Sequence, residues 1–427
     1  MDTIFAVSSG AAPAAISILR ISGPHALAAA EALAGSLPPP RHARVRALRD
    51  RATGALLDRG LVLVFPGPAS ATGEDLVELH VHGGRATQRA LEGALGRFEG
   101  LRPAEPGEFT RRALEHGRID LTEAEGLGDL LAAETEQQRR AALRLSEGGL
   151  RHRVESWNDR LLDLAAAIEA ALDFSDEDDV PAGVTDATGK TMNILADELA
   201  TLVAAPSVER LRDGVRVVIA GPPNSGKSTL INRMVGRDVA IVSPIAGTTR
   251  DRIEAPVVRA GVAFVLTDTA GLRDTDADPI ERIGIERAEA AINAADVVIW
   301  LHDAPPPSTD MLWVHGRCDL PGRENSPSGA VLAVSGHSGA GVERLWEILD
   351  GRAKSVGAVT DDMAINARQR DLLARAEAVL RIGAGEQDIL LRAEAIRAAR
   401  IAFDGITGRA DVEAVLDTLF GRFCIGK

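Results

Sequence analysis

The sequence predicts a multidomain protein of the α+β and α/β classes, in which an N-terminal α+β domain precedes a helical domain interrupted by an inserted α/β domain. The chain has 427 residues, enough for about three domains of roughly 150 residues each. Its residue pattern changes near Thr122 and near Gly214, and a helical pattern returns after Asn366. We therefore place the domains at 1–118, 119–212, 213–355 and 356–427, the second and fourth segments together forming the helical domain.

The charge and composition of the chain argue against two kinds of nucleic-acid-binding protein. Lys and Arg number 48 against 62 Asp and Glu, so the formal net charge is −14 and the surface as a whole does not attract nucleic acid. Aromatic residues make up 3% of the chain and Tyr is absent, which argues against a base-stacking platform. Any nucleic-acid contact is expected to use local arginines, because Lys occurs only at positions 190, 227, 354 and 427.

The cysteine content, the first residues and the length of the apolar runs predict where the protein is located. Only Cys318 and Cys424 occur, too few for a disulfide framework, and the first residues lack the basic and apolar pattern of a secretory signal. No apolar run reaches the roughly 18 residues of a membrane span. We expect a cytoplasmic protein that does not bind a membrane.

The first domain mixes short β-type runs with helical ones. Residues 16–21 and 61–65 are rich in branched apolar side chains, and 74–82 alternates apolar and polar positions. Three prolines, at 38–40, separate the first two runs. The pattern predicts an α+β domain over 1–118.

The second segment reads as helical. Thr122 and Glu125 have the spacing of a capping box, which predicts a helix start there. Apolar side chains then recur every three or four residues at Leu150, Val154, Trp157, Leu161, Leu164, Ile168 and Leu172. This spacing predicts one face of a long amphipathic helix. The acidic run 173–179 that follows is expected to be an exposed loop.

The third segment has the pattern of a parallel sheet wrapped by helices. Short apolar runs occur at 215–220, 262–267, 297–301, 311–314 and 331–335, with helical stretches between most of them. The segment ends near Arg352. After Asn366 the chain is predicted to be helical to about Phe420.

A phosphate-binding loop lies at the start of this α/β domain. Residues 221–228 satisfy G-x-x-x-x-G-K-S/T, and they follow a predicted strand and precede a predicted helix, as the motif requires. Lys227 is expected to contact the β- and γ-phosphates, and Ser228 to bind Mg²⁺. The other nucleotide-binding positions expected in this loop are Asn224, Ser225, Gly226 and Thr229.

Two further segments predict a GTPase-type nucleotide site. Asp268-Thr269-Ala270-Gly271 follows the strand 262–267, which puts a carboxylate beside the metal and a glycine N–H near the γ-phosphate. Thr248 and Thr249 lie between the two motifs, where a switch loop would offer a second hydroxyl to Mg²⁺, assigned here to Thr249. Each segment alone is common, but their order and spacing favour a GTPase domain.

The residue after Gly271 bears on the hydrolytic mechanism. In small signalling GTPases a glutamine at this position orients the attacking water, but here it is Leu272, which forms no side-chain hydrogen bond. Glu281 and Glu286 follow within the next segment, and Glu281 is the favoured candidate to orient water. A helix-start glutamate stabilised by the helix dipole is the alternative interpretation of Glu281.

Over nearly its whole length the chain resembles the MnmE (TrmE) family of tRNA-modification GTPases. The residues that carry the resemblance are Asp2-Thr3-Ile4, Leu19-Arg20-Ile21-Ser22-Gly23-Pro24, Phe65-Pro66-Gly67-Pro68, Thr72-Gly73-Glu74-Asp75, Pro106-Gly107-Glu108-Phe109-Thr110-Arg111-Arg112-Ala113, Asp173-Phe174, the phosphate-binding loop, Ile245-Ala246-Gly247-Thr248-Thr249-Arg250-Asp251, the segment Asp268 to Arg273 with Glu281-Arg282-Ile283-Gly284, and Phe423-Cys424-Ile425-Gly426-Lys427.

The resemblance implies K⁺-stimulated GTP hydrolysis, with Asn224, Ser243, Ile245 and Thr248 around the K⁺ ion and Glu281 positioning water. A monovalent cation could also supply positive charge that this chain, with no obvious arginine finger, otherwise lacks.

The resemblance further implies a homodimer joined through the N-terminal domain, which would bind 5-formyl- or methylene-tetrahydrofolate through Arg20, Glu78, Arg118 and Lys427. Arg118 can pair with a carboxylate as a lysine would, with different geometry. A flavin-dependent partner of the MnmG (GidA) type would join it in a heterotetramer or larger complex. Together they would install an aminomethyl-type substituent at carbon 5 of the wobble uridine of tRNA.

Cys424 in the tail is either a thiolate that takes part in this chemistry or a small buried side chain that anchors the tail, and the structural role is favoured.

The sequence departs from the usual guanine-recognition motif. N-K-x-D appears as Gly316-Arg317-Cys318-Asp319, which keeps the aspartate that bonds the guanine edge and loses the asparagine. The loop that follows is Ser335-Gly336-His337. Asp319 and Ser335 are the expected base-site residues, and guanine specificity is less secure than phosphate binding. The alternative function is a regulatory GTPase switch, such as a ribosome-assembly factor, which would need neither the folate residues nor the tail.

Overall fold

A computed structural model describes residues 2–173, 184–205, 207–236, 254–269, 289–355 and 363–409, with 416, 419–421, 423 and 426. The chain divides into two compact units. One comprises Met1–Gly128, Leu145–Leu161 and Arg400–Lys427, and the other Asp129–Arg144 and Leu162–Ala399. In the parts of the chain that the structure describes, no helix has the length and apolarity needed to cross a membrane.

The N-terminal sheet has six strands in the order β3-β4-β5-β2-β1-β6. All its pairs are antiparallel except β1 with β6. The elements are β1 Thr3–Val7, β2 Ala14–Ser22, α1 Ala26–Ala34, β3 Arg44–Arg49, β4 Leu56–Phe65, β5 Leu76–Gly83, α2 Arg85–Leu95, β6 Leu101–Pro103 and α3 Glu108–Glu115. The three predicted strands are confirmed as β2, β4 and β5, whereas β1, β3 and β6 were missed.

Alternation along β2 and β5 divides this sheet into a core face and an open face. Leu19, Ile21 and Leu79 are fully buried in a core shared with α1 and α2. Because neighbouring side chains on a strand point to opposite faces, Arg20 and its cross-strand partner Glu78 lie on the other side. The fold therefore places two of the predicted folate-binding residues, Arg20 and Glu78, opposite each other on neighbouring strands.

The next helices are α4 Leu121–Ala132, α5 Glu136–Ser146, α6 Gly149–Asp173, α7 Val184–Ala204 and α8 Val208–Asp213. The long amphipathic helix is confirmed as α6, whose apolar positions from Leu150 to Ile168 are buried. The acidic run lies outside the described residues from 174 onward.

The predicted capping box at the start of α4 is wrong. Asp120, not Thr122, accepts the hydrogen bond from the Glu123 amide at 2.9 Å, and Glu123 accepts from the Asp120 amide at 2.7 Å. Thr122 lies within the helix, where its hydroxyl donates to Asp120. The reciprocal bonds thus form two residues earlier than predicted, because Asp120 also provides a carboxylate at the cap.

The second sheet has the order β12-β11-β10-β7-β9-β8 and is parallel except for its edge pair β8 and β9. Its elements are β7 Val215–Ala220, α9 Lys227–Val235, β8 Glu254–Arg259, β9 Val262–Asp268, β10 Val297–Leu301, β11 Leu312–Gly316, β12 Leu332–Val334 and α10 Val342–Ser355. All five predicted strands are present. The carboxyl ends of β7, β9, β10 and β11 meet at one edge, where ligands bind in open α/β sheets.

Two helices follow, α11 Ala367–Gly385 and α12 Ile389–Thr407. Asn366 caps α11 by accepting from the Gln369 backbone amide at 2.8 Å, and the Gln369 side-chain oxygen accepts from the Asn366 backbone amide. Helices therefore precede and follow the second sheet in the sequence, and the predicted fold class is confirmed.

Candidate functional site: a nucleotide cleft at the edge of the second sheet

The phosphate-binding loop joins the end of β7 to the start of α9. Its backbone adopts positive φ at Gly221 (153°), Asn224 (59°) and Gly226 (100°). These angles fold the loop back so that α9 begins directly at Lys227. The first amides of a helix have no partner within the helix, and together with the helix dipole they attract an anion. The loop has the form of a phosphate cradle.

Lys227 lies at the base of this cradle. It is buried, and its Nζ donates to the carbonyl oxygens of Gly221 at 3.0 Å and Pro222 at 2.8 Å. These bonds hold the ammonium group against the loop that would surround a phosphate. A phosphate oxygen is a stronger acceptor than a neutral carbonyl, so an incoming nucleotide can compete for this charge.

Two oxygen donors meet at the ends of β7 and β9. Asp268 is the cross-strand neighbour of Ile219, and the Ser228 hydroxyl donates to its carboxylate. The Thr269 hydroxyl donates to the Ile219 carbonyl at 3.0 Å and fixes the end of β9. A hydroxyl beside a carboxylate is a donor set that suits Mg²⁺, which prefers oxygen ligands. The geometry therefore fits the predicted magnesium site at Ser228.

Several predicted site residues lie outside the described residues. They are the switch residues Ser243, Ile245, Thr248 and Thr249, the glycine-turn residues Ala270 and Gly271, and Glu281. Of the four residues predicted to surround K⁺, the structure describes Asn224 alone.

The base-site residues line a cavity of about 350 Å³ next to the phosphate-binding loop. Ser225, Gly226 and Thr229 form one wall, and Asp319, Ser335 and His337 are among those that form the other. Such a volume lies at the lower end of the range for small-molecule sites. Three segments distant in sequence thus meet in one cleft that has room for part of a nucleoside.

Asp319 is an ionised hydrogen-bond acceptor in this cleft. A hydrogen bond from the side chain of the buried Ser335 lowers the pKa of the Asp319 carboxyl below its usual range. His337 lies close by, with Nδ1 3.9 Å from an Asp319 carboxylate oxygen. An ionised carboxylate accepts hydrogen bonds through two oxygens, which matches a ring edge that presents two adjacent N–H donors.

The packing around Gly316 leaves little room for a side chain. A Cβ atom there would stand 3.0 Å from the Leu301 side chain and 3.1 Å from the Ser225 carbonyl oxygen. Next to it, Arg317 has a positive φ of 57°, and its stem lies against Gly226 of the phosphate-binding loop. The Arg317 Nε and the Ser225 hydroxyl are buried without a hydrogen-bond partner among the described residues. Both are candidate contacts for a bound nucleotide.

An Asp303–His315–Arg323 cluster holds the segment that carries Asp319. The Arg323 guanidinium donates to the Gly316 carbonyl at 3.0 and 3.2 Å and forms a bidentate pair with Asp303. The buried His315 lies with Nδ1 3.1 Å from Asp303 and Nε2 3.0 Å from the Arg323 carbonyl. Sequence reasoning missed this cluster, whose members come from three segments with no motif spacing.

The N-terminal unit contains a second cavity, of about 390 Å³, lined in part by Glu78, Arg118, Arg41 and Phe65. Arg118 donates through Nε to the Ser70 carbonyl at 3.1 Å. The structure thus brings Glu78 and Arg118 to one cavity. Arg41 was not predicted there. Lys427 and Cys424 lie outside the described residues.

Arg20 is not among the residues that line this cavity, but it contacts Glu78, which is. Its guanidinium donates to the Glu78 carboxylate at 2.8 Å and lies over the Phe109 ring, 5.6 Å from its centre. Burial raises the pKa of Glu78, but the Arg20 guanidinium outweighs it, with a smaller contribution from His80, and the net pKa is lowered. The cavity therefore presents an ionised carboxylate between cationic groups.

Several of the other N-terminal motif residues form a buried ion network. Arg112 is nearly fully buried and pairs with Asp2 at 2.8 Å, Glu108 at 3.0 Å and Glu74 at 3.1 Å. Arg102 pairs with the same Glu108 at 2.6 Å. Apart from Arg102, these are residues of the motifs that carry the resemblance, and they hold together the start of β1, the loop before β5 and α3.

Comparisons with known proteins agree with the predicted resemblance. The family model described as "GTP-binding protein TrmE N-terminus" matches residues 3–118, and "MnmE helical domain" matches 121–424. A tRNA modification GTPase MnmE from Erythrobacter litoralis is 53% identical over the full length of both chains. Proteins of the same name from Rhizorhabdus wittichii (53%, all of this chain and 97% of that one) and Azorhizobium caulinodans (48%, 100% and 99%) are also similar. The chain therefore belongs to the MnmE family of tRNA modification GTPases.

Proposed function

We propose that the protein hydrolyses GTP in the nucleotide cleft and acts in the modification of tRNA. The observation that carries the proposal is the convergence of Lys227, Ser228, Asp268 and Asp319 on one edge of the second sheet. The chain belongs to a family whose members are named tRNA modification GTPases, and this supports a role in tRNA modification. Lys227→Ala should abolish tight GTP binding, because the β- and γ-phosphate charge loses its buried counter-ion.

In this cleft each residue has a separate task. Lys227 and the amides at the start of α9 bind the phosphates, and Asp319 accepts hydrogen bonds from the guanine edge. Ser228 and Asp268, with Thr249, would hold Mg²⁺, which neutralises charge on the β- and γ-phosphates when bound. Leu272 forms no side-chain hydrogen bond, so water is oriented by another group, which we assign to Glu281.

We further propose that hydrolysis is stimulated by K⁺ held by Asn224, Ser243, Ile245 and Thr248. Support comes from the positive φ of Asn224, which places this residue at the turn of the loop. The test is single-turnover GTP hydrolysis in K⁺ and in Na⁺ at equal ionic strength. The parent protein should be faster in K⁺, and Asn224→Ala should remove the difference. Equal parental rates in both salts would refute the cation mechanism.

Glu281 is tested in the same assay. Because water positioning acts mainly in the transition state, Glu281→Ala should lower kcat on the order of 10² while GTP affinity changes little. Glu286→Ala is the matched control, because Glu286 is the other glutamate considered for this task. A normal rate for Glu281→Ala would leave it as a helix-start carboxylate.

The cavity in the N-terminal unit is proposed to bind a tetrahydrofolate, 5-formyl or methylene, as the one-carbon donor. The ionised Glu78 can accept hydrogen bonds from the N–H groups of a pterin ring, and Arg118 and Lys427 can pair with the folate carboxylates. The volume of about 390 Å³ supports this assignment. Arg20 acts by orienting Glu78.

The modified atom is proposed to be carbon 5 of the wobble uridine, with an MnmG (GidA)-type flavoprotein as partner in a heterotetramer or larger complex. The protein would be a cytoplasmic homodimer with domains at 1–118, 119–212, 213–355 and 356–427. Cys424 would anchor the tail.

Mass analysis of wobble nucleosides tests the process directly. Cells that lack the protein should lose a C5-substituted uridine, and the Lys227→Ala variant should fail to restore it. An unchanged nucleoside profile together with a ribosome-assembly defect would favour a regulatory GTPase switch instead.

A further inference from the structure

The outer edge of the N-terminal sheet carries five arginines, which we name the basic edge: Arg44, Arg46, Arg49, Arg51 and Arg59. Four of them are exposed and Arg46 is half-buried. Strand β3, which carries the first three, is the outermost strand of its sheet, and Arg59 lies on the neighbouring β4. The basic edge runs along about 17 Å of strand from Arg44 to Arg49, at 3.4 Å per residue.

Within the described ranges, none of these guanidinium groups forms an ion pair with a carboxylate. Arg46 donates to the Ser36 carbonyl at 2.8 Å, Arg49 donates to the Gly54 carbonyl at 3.1 Å, and Arg51 lies over the Phe98 ring. These neutral partners orient the side chains and leave their charge uncompensated.

The two acidic residues nearest in sequence are committed elsewhere. Asp50 pairs with Arg97 and accepts from the amides of Ala52 and Thr53 at 2.8 and 3.1 Å. Asp58 pairs with His82 at 2.8 Å. The fold thus withdraws the local carboxylates from the basic edge, in a chain whose formal net charge is −14.

We propose that the basic edge binds the phosphate backbone of RNA, namely the tRNA on which the protein acts, so that the inference rests on the proposed function. A chain with a strong negative charge repels a polyanion except where positive charge is concentrated. Guanidinium groups bind phosphate oxygens in bidentate fashion, and phosphate contacts position a nucleic acid without reading its sequence. Charges on an edge strand can instead serve to prevent edge-to-edge aggregation. Only phosphate binding makes the affinity for RNA depend on salt through these arginines, so a salt series distinguishes RNA binding from protection against aggregation.

The experiment measures binding of an unmodified tRNA transcript to the full chain by fluorescence polarisation, from about 50 to 300 mM KCl. Each lost phosphate contact lowers the slope of log K against log salt by about 0.7–0.9. The triple variant R44Q/R46Q/R49Q should therefore lower the slope by about 2–3 and weaken binding at low salt at least tenfold. R44K/R46K/R49K should retain most of the slope.

The matched control is R139Q/R344Q/R397Q, which changes the net charge equally. These arginines are exposed, but each is paired with a glutamate three residues away. The control should bind as the parent does. An equal loss in both triple variants would overturn the proposal, as would unchanged binding by the basic-edge variant or no tRNA binding by the parent.

Two further measurements complete the test. Circular dichroism and GTPase activity should be unchanged in R44Q/R46Q/R49Q, because the basic edge lies outside the nucleotide cleft. Tighter binding to phosphatidylserine vesicles than to tRNA, lost in the same variant, would overturn the RNA assignment in favour of a lipid surface. The nucleoside profile tests the role in tRNA modification separately. RNA binding by the basic edge can therefore be refuted while the proposed function holds, and the reverse.

Discussion

Removing the Arg323 side chain should lower the selectivity of the nucleotide cleft for guanine. Arg323 is the residue that holds the Gly316 carbonyl, three residues before Asp319. Hydrogen bonds from a charged donor contribute about 1.5–3 kcal/mol when they are partly buried, and Arg323 is 22% exposed. Its pair with Asp303, which is 53% exposed, contributes about 0–1 kcal/mol after solvent screening. Arg323→Ala should therefore cost about 1.5–4 kcal/mol and Asp303→Asn less than about 1.

The assay is calorimetric titration with GDP and with IDP, whose base lacks the exocyclic amine. The parent protein should bind GDP more tightly, because Asp319 is proposed to accept from that amine. If half of the cost of Arg323→Ala falls on the bound state, GDP affinity falls about tenfold, since 1.4 kcal/mol corresponds to a factor of ten. The ratio of IDP to GDP dissociation constants should shrink as well. Asp303→Asn should change the ratio about twofold or less, and Asp319→Ala sets the lower limit.

A merely structural role for Arg323 predicts a different result. It would lower Tm and leave the IDP-to-GDP ratio unchanged, and that outcome would refute the reasoning. A parent protein that does not distinguish GDP from IDP would show instead that Asp319 is not a ligand of the base.

The remaining predictions concern the N-terminal unit. Arg20→Ala should weaken binding of 5-formyl-tetrahydrofolate in calorimetry while GTP hydrolysis is retained, and equal folate binding would remove Arg20 from the site. Arg112→Met should destabilise the N-terminal unit by about 3–5 kcal/mol, because it leaves the buried Glu74 carboxylate without its arginine and removes one of the two arginines that pair with Glu108, and a Tm within one degree of the parent would contradict this. Burial raises the pKa of Glu108, but Arg102 and other donors outweigh it and the net pKa is lowered. Stability from Glu108 is therefore present above its unfolded pKa of about 4.3 and lost as pH falls below it, which thermal unfolding between pH 6 and about 3 would detect.

The strands of the second sheet could be predicted because a parallel strand buried on both faces reads as a continuous apolar run. Val215–Ala220 and Val297–Leu301 have this pattern and were predicted at their observed bounds. Strand β8 was missed, since it is an antiparallel edge strand that carries Pro256 and exposes Glu254. Strand β3 was missed for the same physical reason, because its arginines make an edge strand look like a loop.

The phosphate-binding part of the site was predictable and the positioning residues were not. Lys227 and Ser228 lie in one contiguous motif whose loop conformation follows from its glycines. Asp303 follows β10, His315 lies near the end of β11, and Arg323 lies beyond β11. Only the register of these two parallel strands brings the three residues together. Charge pairing across strands leaves no periodic signal in a single sequence.

Gly316 stands where the usual guanine-recognition motif has asparagine, and the packing around it leads to a final prediction. Asparagine at this position would restore the first residue of the usual motif, but its Cβ would lie 3.0 Å from Leu301 and 3.1 Å from the Ser225 carbonyl oxygen, which cannot move without shifting the phosphate-binding loop. Overpacking of this kind costs about 1–3 kcal/mol. Gly316→Asn should therefore lower both Tm and GDP affinity, and adding Leu301→Val should recover part of the Tm while the contact with Ser225 remains. An asparagine variant that binds GDP more tightly at an unchanged Tm would contradict this reasoning. It would show that packing and Arg323 do not fix the segment from Gly316 to Asp319, and that glycine at position 316 only removes a contact with the base.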